Sequence, residues 1–253
     1  MGGVPALSLQ TKAVTSALGV AVGLELAAEA GFESVVYWPG EDLALLDSLD
    51  AAAALELEVV AVALPKASLL EVGGRTRVER AVRRVREATA APISLIGGDL
   101  VDGVPFEPAE LAAWLATLPG PLLLENGGRR TERFADLGTV ASLLDVAPGL
   151  RLALDLGHAA AAGADPAAFP PPERVAYVEV HDNDGVDDLH LQLGRGRGAG
   201  RSETWIAALG YVPERVVVET DPRCGADRHA WRRALAHDYA QAQETLAGAA
   251  VGA

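Results

Sequence analysis

Four short apolar runs in the second half of the chain each lead into a residue able to bind a divalent metal. Leu122-Leu123-Leu124 leads to Glu125, Leu152-Ala153-Leu154 to Asp155, Val178-Glu179-Val180 to His181, and Val216-Val217-Val218 to Glu219. Runs this short, rich in valine and leucine, read as buried parallel strands. In a barrel of parallel strands the C-terminal strand ends converge on one face, where active sites lie. Three carboxylates and an imidazole meeting there repel one another unless a cation sits between them. The pattern therefore predicts a metalloenzyme whose ion is held by Glu125, Asp155, His181 and Glu219.

Other residues extend that site. His158 follows Asp155 by three positions in Asp-Leu-Gly-His, in the loop expected to leave strand six, and Asp188-Leu189-His190 follows His181. Oxygen and imidazole donors mixed in this way suit Zn, Mn, Co or Mg, with water filling open positions. His158, Asp188 and His190 are thus candidates for a second ion or for substrate contacts. Trp38, beside Tyr37 at the end of strand two, is a candidate to stack on the C–H faces of a sugar. Arg195, with Arg197 and Arg201 in a glycine-rich stretch, is a candidate to hold an anion; a solvated loop is the alternative. Lys12 and Lys66 fall in predicted loops rather than on strands, which argues against Schiff-base chemistry.

The elements that must position these residues alternate without a composition break. Strands are expected at 6–9, 34–37, 59–64 and 93–96, then starting near 122, 152, 176 and 216. Helices are expected to end near 31 and near 57, then to cover 75–88, 108–118, 131–146 and 228–246. In the third of these, Val78, Val82 and Val85 share one face at i, i+4, i+7 spacing. Eight β/α pairs within 253 residues predict one α/β domain, a single (β/α)8 TIM barrel spanning 1–253, with an open doubly wound sheet as the alternative. Pro170-Pro171-Pro172 reads as a rigid turn into strand seven.

Composition narrows the partners. The formal charge is −14, from 35 acids against 21 bases. Nucleic acid needs clustered cations facing phosphates, so a small molecule is the expected substrate. No apolar run is long enough for a membrane span, and Met1-Gly2-Gly3-Val4-Pro5 lacks the basic and apolar regions of a signal peptide. The single Cys224 excludes an internal disulfide framework and fits a reducing cytoplasm. A homo-oligomer, in which a neighbouring subunit covers the pocket, is left open.

Glu125-Asn126, Asp155-Leu156-Gly157-His158, His181 with Asp188-Leu189-His190 and a Gly-x-Gly turn, and Glu219, in that order, resemble the xylose-isomerase-like TIM barrels. That superfamily includes sugar isomerases and epimerases, inosose dehydratases, hydroxypyruvate isomerases and endonuclease IV. The resemblance implies that Glu125, Asp155, His181 and Glu219 hold the main ion. It also implies that His158, Asp188 and His190 stand where the endonuclease branch holds a second one. That branch carries metal-binding histidines at the ends of strands three and four, where this chain reads Val62-Ala63-Leu64-Pro65 and Leu95-Ile96-Gly97-Gly98. A three-metal phosphodiesterase site is therefore incomplete. Relatives carry glutamate after strand two and an acid within the Gly-x-Gly turn, against Tyr37-Trp38 and Arg195 here.

The expected activity is a divalent-metal-dependent isomerase or epimerase of a small sugar or hydroxy-carbonyl compound. Glu125 and Glu219 would exchange acid and base roles through an enediolate. The alternatives are a lyase of the inosose-dehydratase kind, a hydrolase using a second ion, and a binding protein that keeps the barrel without catalysis.

Overall fold

The computed structural model describes residues 5–252; residues 1–4, which enter the signal-peptide reading, lie outside them. Eight strands, β1 (Ala6–Gln10), β2 (Ser34–Tyr37), β3 (Glu58–Ala63), β4 (Ile93–Ile96), β5 (Leu122–Glu125), β6 (Arg151–Asp155), β7 (Val175–Val180) and β8 (Arg215–Val218), form a closed parallel barrel in sequence order. β8 closes the ring on β1 through Leu7↔Val216 and Leu9↔Val218. Around it lie α1 (Lys12–Leu18), α2 (Val20–Ala30), α3 (Asp50–Ala54), α4 (Val72–Ala88), α5 (Pro108–Leu115), α6 (Leu137–Val146), α7 (Leu156–Ala162), α8 (Ser202–Ala208) and α9 (Arg228–Gly252). The architecture is the (β/α)8 TIM barrel. Among the described residues no helix is long and apolar enough to cross a membrane.

Three local features differ from the sequence expectation. The first helix breaks into α1 and α2 at Gly19, whose φ of 82° no helix accommodates. The helix expected at 131–146 starts only at Leu137, where Asp136 accepts hydrogen bonds from the Gly138 and Thr139 amides. Finally, β6 runs into α7 with no loop between them, so His158 sits in the first helical turn. Asp155 caps that turn, accepting from the His158 amide at 2.7 Å.

Strand alternation divides the side chains into two sets. Leu7, Leu9, Val35, Tyr37, Leu122, Leu124, Leu152, Leu154, Val178, Val180, Val216 and Val218 face the helices and pack in the outer core. The residues between them point into the barrel, where Val36, Trp38, Ala61, Ala63, Leu123, Ala153, Tyr177 and Val217 form a separate inner cluster. Three alanines in that cluster leave the volume that Trp38 and Tyr177 fill. The N-terminal end is closed by polar groups: Arg215 donates to Ser34 Oγ at 2.8 Å and pairs with Glu58 at 2.9 Å.

On the opposite end, the β3–α4 connection is held by one carboxylate. Buried Asp99 accepts from the Ser68 hydroxyl and from the Leu69 and Leu70 amides at 2.8 and 3.2 Å. Asp99→Ala leaves these donors unpaired and is expected to lower stability by about 1–3 kcal/mol. Urea unfolding with an unchanged slope and a lower midpoint would show it.

Candidate metal centre

The alternation that turns Leu123, Ala153, Tyr177 and Val217 inward also turns Glu125, Asp155, Glu179, His181 and Glu219 inward, at or just below the barrel mouth. Their donor atoms sort into two principal groups. Glu125, Asp155, Glu179 and Glu219 each bring one oxygen within 4.8 Å of the others'. His158, His181, Asp188 and His190 bring one donor atom each within the same limit, and Glu125, Asp155 and His158 link the two sets. Of the four ligands expected from sequence, Glu125, Asp155 and Glu219 stand together. His181 joins the imidazoles, with its Nε2 still 3.3 Å from Asp155 Oδ1.

The imidazoles share one orientation. Each Nδ1 faces a backbone carbonyl: His158 toward Asn126 at 2.9 Å, His190 toward Glu219 at 3.2 Å, His181 toward Asp182 at 3.5 Å. A carbonyl only accepts, so the proton of a neutral ring belongs on Nδ1 and the lone pair on Nε2. All three Nε2 atoms converge on Asp188, at 3.3 Å from its Oδ2 for His158, and at 3.6 and 3.1 Å from its Oδ1 for His181 and His190. Among the described residues Asp155 Oδ2, Glu179 Oε2, His181 Nε2 and Asp188 Oδ1 are buried with no geometrically sound hydrogen bond. Buried polar atoms left in that condition are costly, and a cation would satisfy them. The donor set fits a divalent ion: four carboxylates suit a hard ion such as Mg or Mn, and three imidazoles with Asp188 suit Zn.

The supports of these ligands come from asparagines and glycines. Asn126 exchanges two hydrogen bonds with the Asp155 backbone, at 2.8 and 2.9 Å, tying the ends of β5 and β6 together. Asn183 donates to the Gly157 carbonyl at 2.8 Å. Asp182 accepts from the Gly196 amide and from Ser202 N and Oγ, pinning both ends of the long segment after β7. That segment presents Asp188 and His190 over the mouth, with His190 in a left-handed conformation (φ 48°). Gly157 has no side chain for a plain reason: a Cβ there would lie 2.3 Å from His181 Nε2.

Electrostatics follow the grouping. Burial, reinforced by the Glu219 charge, pushes Glu125 up to about 8. Burial with the Glu125 and Glu219 charges raises Glu179 well above the ordinary carboxylate range. Against the opposing effect of burial, His158 and His181 hold Asp155 low, and His158 and His190 hold Asp188 low. In turn, and again against burial, Asp155 and Asp188 raise His158, while Glu219 and Asp188 raise His190 to about 9. Without a metal the cluster balances its charges with protons.

Trp38 lies in the inner cluster with Lys12 Nζ 4.9 Å from its ring centroid. Arg195 is exposed, and its backbone amide donates to the Gln192 carbonyl at 3.1 Å. Glu179, Asn126 and Asn183 are absent from the sequence-based set. Glu179 had a signal, since it shares the inward parity of His181; the asparagines had none beyond adjacency to a ligand.

No family model matches the chain, and no curated protein matches its sequence. Solved structures do match. The IolI protein with a binding zinc atom has a TM-score of 0.69 at 13% identity, over 97% of this chain and 96% of that one. A xylose isomerase domain containing protein from Salmonella typhimurium LT2 gives 0.72 at 14% identity, over 95% and 98%. D-psicose 3-epimerase in the presence of D-fructose gives 0.63 at 14% identity, over 95% and 99%. The chain shares the (β/α)8 fold of these proteins.

Two outcomes test the centre. Gly157→Ala is expected to displace the His181 ring and weaken Zn binding roughly 10- to 100-fold while the far-ultraviolet spectrum stays native; calorimetric titration of the metal measures it. The second concerns pH. Raised imidazoles stabilise the metal-free fold below about 6.5, and that contribution is lost as pH rises through about 9. Glu125, protonated in the fold up to about 8, acts in the same direction. A cation must displace these protons, so its affinity rises over the same range. The melting-temperature difference between metal-loaded and chelator-treated protein should therefore widen from about pH 6 to about pH 9.

Proposed function

We propose that this chain is a divalent-metal-dependent isomerase or epimerase of a small sugar or hydroxy-carbonyl compound. The observation that carries the reading is the presence of Glu125 and Glu219 in one carboxylate group. The two arise from strands three places apart in an eight-membered ring, so they reach the shared space from different walls. Each has its own supports. Glu125 Oε2 is 3.5 Å from Ser94 Oγ, and its Oε1 is 3.6 Å from His158 Nδ1. Glu219 accepts from Gln10 Nε2 at 3.0 Å and faces His190 Nδ1 at 3.8 Å.

Glu125, Asp155 and Glu219 would hold the ion together with His181 or Glu179. A bound divalent ion supplies Lewis-acid polarisation of a carbonyl and its neighbouring hydroxyl. Glu219 is placed to take the proton from the carbon beside that carbonyl, and Glu125 to return one. Return to the neighbouring carbon is isomerisation; return to the opposite face of the same carbon is epimerisation. The buried inner cluster of Val36, Ala61, Leu123 and Val217 closes the barrel interior with apolar side chains.

The second donor group favours one other reading, hydrolysis with two ions held by His158, His181, Asp188 and His190 beside the carboxylates. Metal content by mass spectrometry separates the two: about one ion per chain supports the isomerase, about two the hydrolase. Glu125→Gln and Glu219→Gln are each expected to lower turnover of a ketose, aldose or inosose by at least about 100-fold. Normal turnover in either variant with its metal retained would overturn the acid–base assignment.

A further inference from the structure

A cavity of about 570 Å³ opens beside the carboxylate group and is lined by Asp188, His190 and Glu219, and also by Lys12, Arg223 and Trp231. Its volume suits a small molecule. Lys12 and Arg223 are two of only 21 cationic side chains in a chain of net charge −14, and both line this cavity together with His190 and Glu219.

The acids lining this cavity already have partners. Asp188 faces three imidazoles. Glu219 accepts from Gln10. Asp221 Oδ1 accepts from the Arg223 amide at 2.9 Å. The two cations do not: among the described residues neither Lys12 nor Arg223 forms an ion pair with a carboxylate.

The Lys12 ammonium is nonetheless held in place, and so is the backbone that carries Arg223. The Lys12 amide donates to Gln10 Oε1 at 2.6 Å, and Gln10 Nε2 donates to Glu219, so the Lys12 backbone is coupled directly to a site carboxylate. Its ammonium is held over the Trp38 ring, an arrangement with an electrostatic attraction of its own. Arg223 has a left-handed backbone (φ 53°), a conformation that costs a side-chain-bearing residue free energy and that collects at ligand sites. The Asp221 amide donates to the His190 carbonyl at 2.7 Å, so the turn carrying Arg223 is fastened to a site histidine.

We infer that the substrate is anionic: it carries a carboxylate or a phosphate monoester away from its reacting carbons, and Lys12 and Arg223 hold that group at the outer end of the cavity. The inference rests on the isomerase reading for the reacting end of the substrate and deepens it. It moves the anion contact from Arg195 in the glycine-rich segment to two residues that line the site cavity. It also gives Trp38 the task of positioning Lys12.

The test compares binding of D-fructose, D-fructose 6-phosphate and D-fructuronate to the Mn-loaded protein by calorimetry. At least one anionic sugar is expected to bind tighter than fructose by about tenfold or more, since charge-assisted hydrogen bonds are strong. Which anionic sugar prevails distinguishes phosphate from carboxylate. In the Lys12→Gln/Arg223→Gln double variant the preference should fall to a ratio near one. Equal binding of all three sugars, no binding of either anionic one, or a preference that survives the double variant would overturn the inference. So would loss of the preference on Arg195→Gln. Because no turnover is read, failure of the isomerase reading appears separately, as absent activity on a sugar that binds with the expected preference.

Discussion

Everything at the barrel mouth depends on the charge balance of buried carboxylates. Glu125, Asp155 and Glu179 are almost wholly buried, within 4.8 Å of one another and of Glu219. Desolvation and mutual repulsion together make such a set untenable in fully ionised form. Protons or cations must compensate, and His158 and His190, whose imidazoles the neighbouring carboxylates raise, supply part of that compensation. A fold that tolerates the arrangement must be stabilised elsewhere. Here the outer core is a continuous band of leucine and valine between strands and helices, and the far end of the barrel is closed by Arg215 with Glu58 and the paired Ser8 and Ser34. Stability is concentrated away from the mouth, which leaves the mouth free to be electrostatically demanding.

The same geometry explains why the donors divide by element rather than by sequence order. Groups fixed to strands, Glu125, Asp155 and Glu179, line the wall as oxygens. His181 follows β7 directly, His158 comes from the first turn of α7, and Asp188 and His190 come from the segment after β7. Asp155 is common to both because its strand ends where its helix begins. Its carboxylate caps α7 and faces two imidazoles at once. One residue thereby joins the local rule of helix capping to the chemistry of the centre.

Much of this was legible in the sequence, for identifiable reasons. Short Val/Leu runs ending in acids or histidine gave the strands, because a parallel strand buried on both faces has no other composition available. Val78, Val82 and Val85 gave the buried row of α4. Glu179 stayed hidden because it interrupts an apolar run, where a single acid looks like an exposed position; only its parity with His181 marks it as inward. The sequence places His158 in a loop, because nothing in Asp-Leu-Gly-His announces that a helix starts without a connection. The placement of Lys12 and Arg223 on one cavity is a property of the closed ring. Residues 211 positions apart come to line one cavity because β8 pairs with β1, and no local pattern encodes that closure.

Asp188 and His190 occupy a segment anchored at its base by Asp182 and Asn183 and tied to β8's end by the Asp221 amide and the Glu219 carbonyl at His190. An excursion of that segment withdraws two of the four nitrogen-rich donors together, whereas strand-borne Glu125 and Asp155 stay in place. An ion held by the upper group would be released by movement of that segment alone, whereas one held by the lower group would leave only if strand-borne carboxylates separated. The two levels of one centre would then differ in kinetics, the upper exchanging faster than the lower.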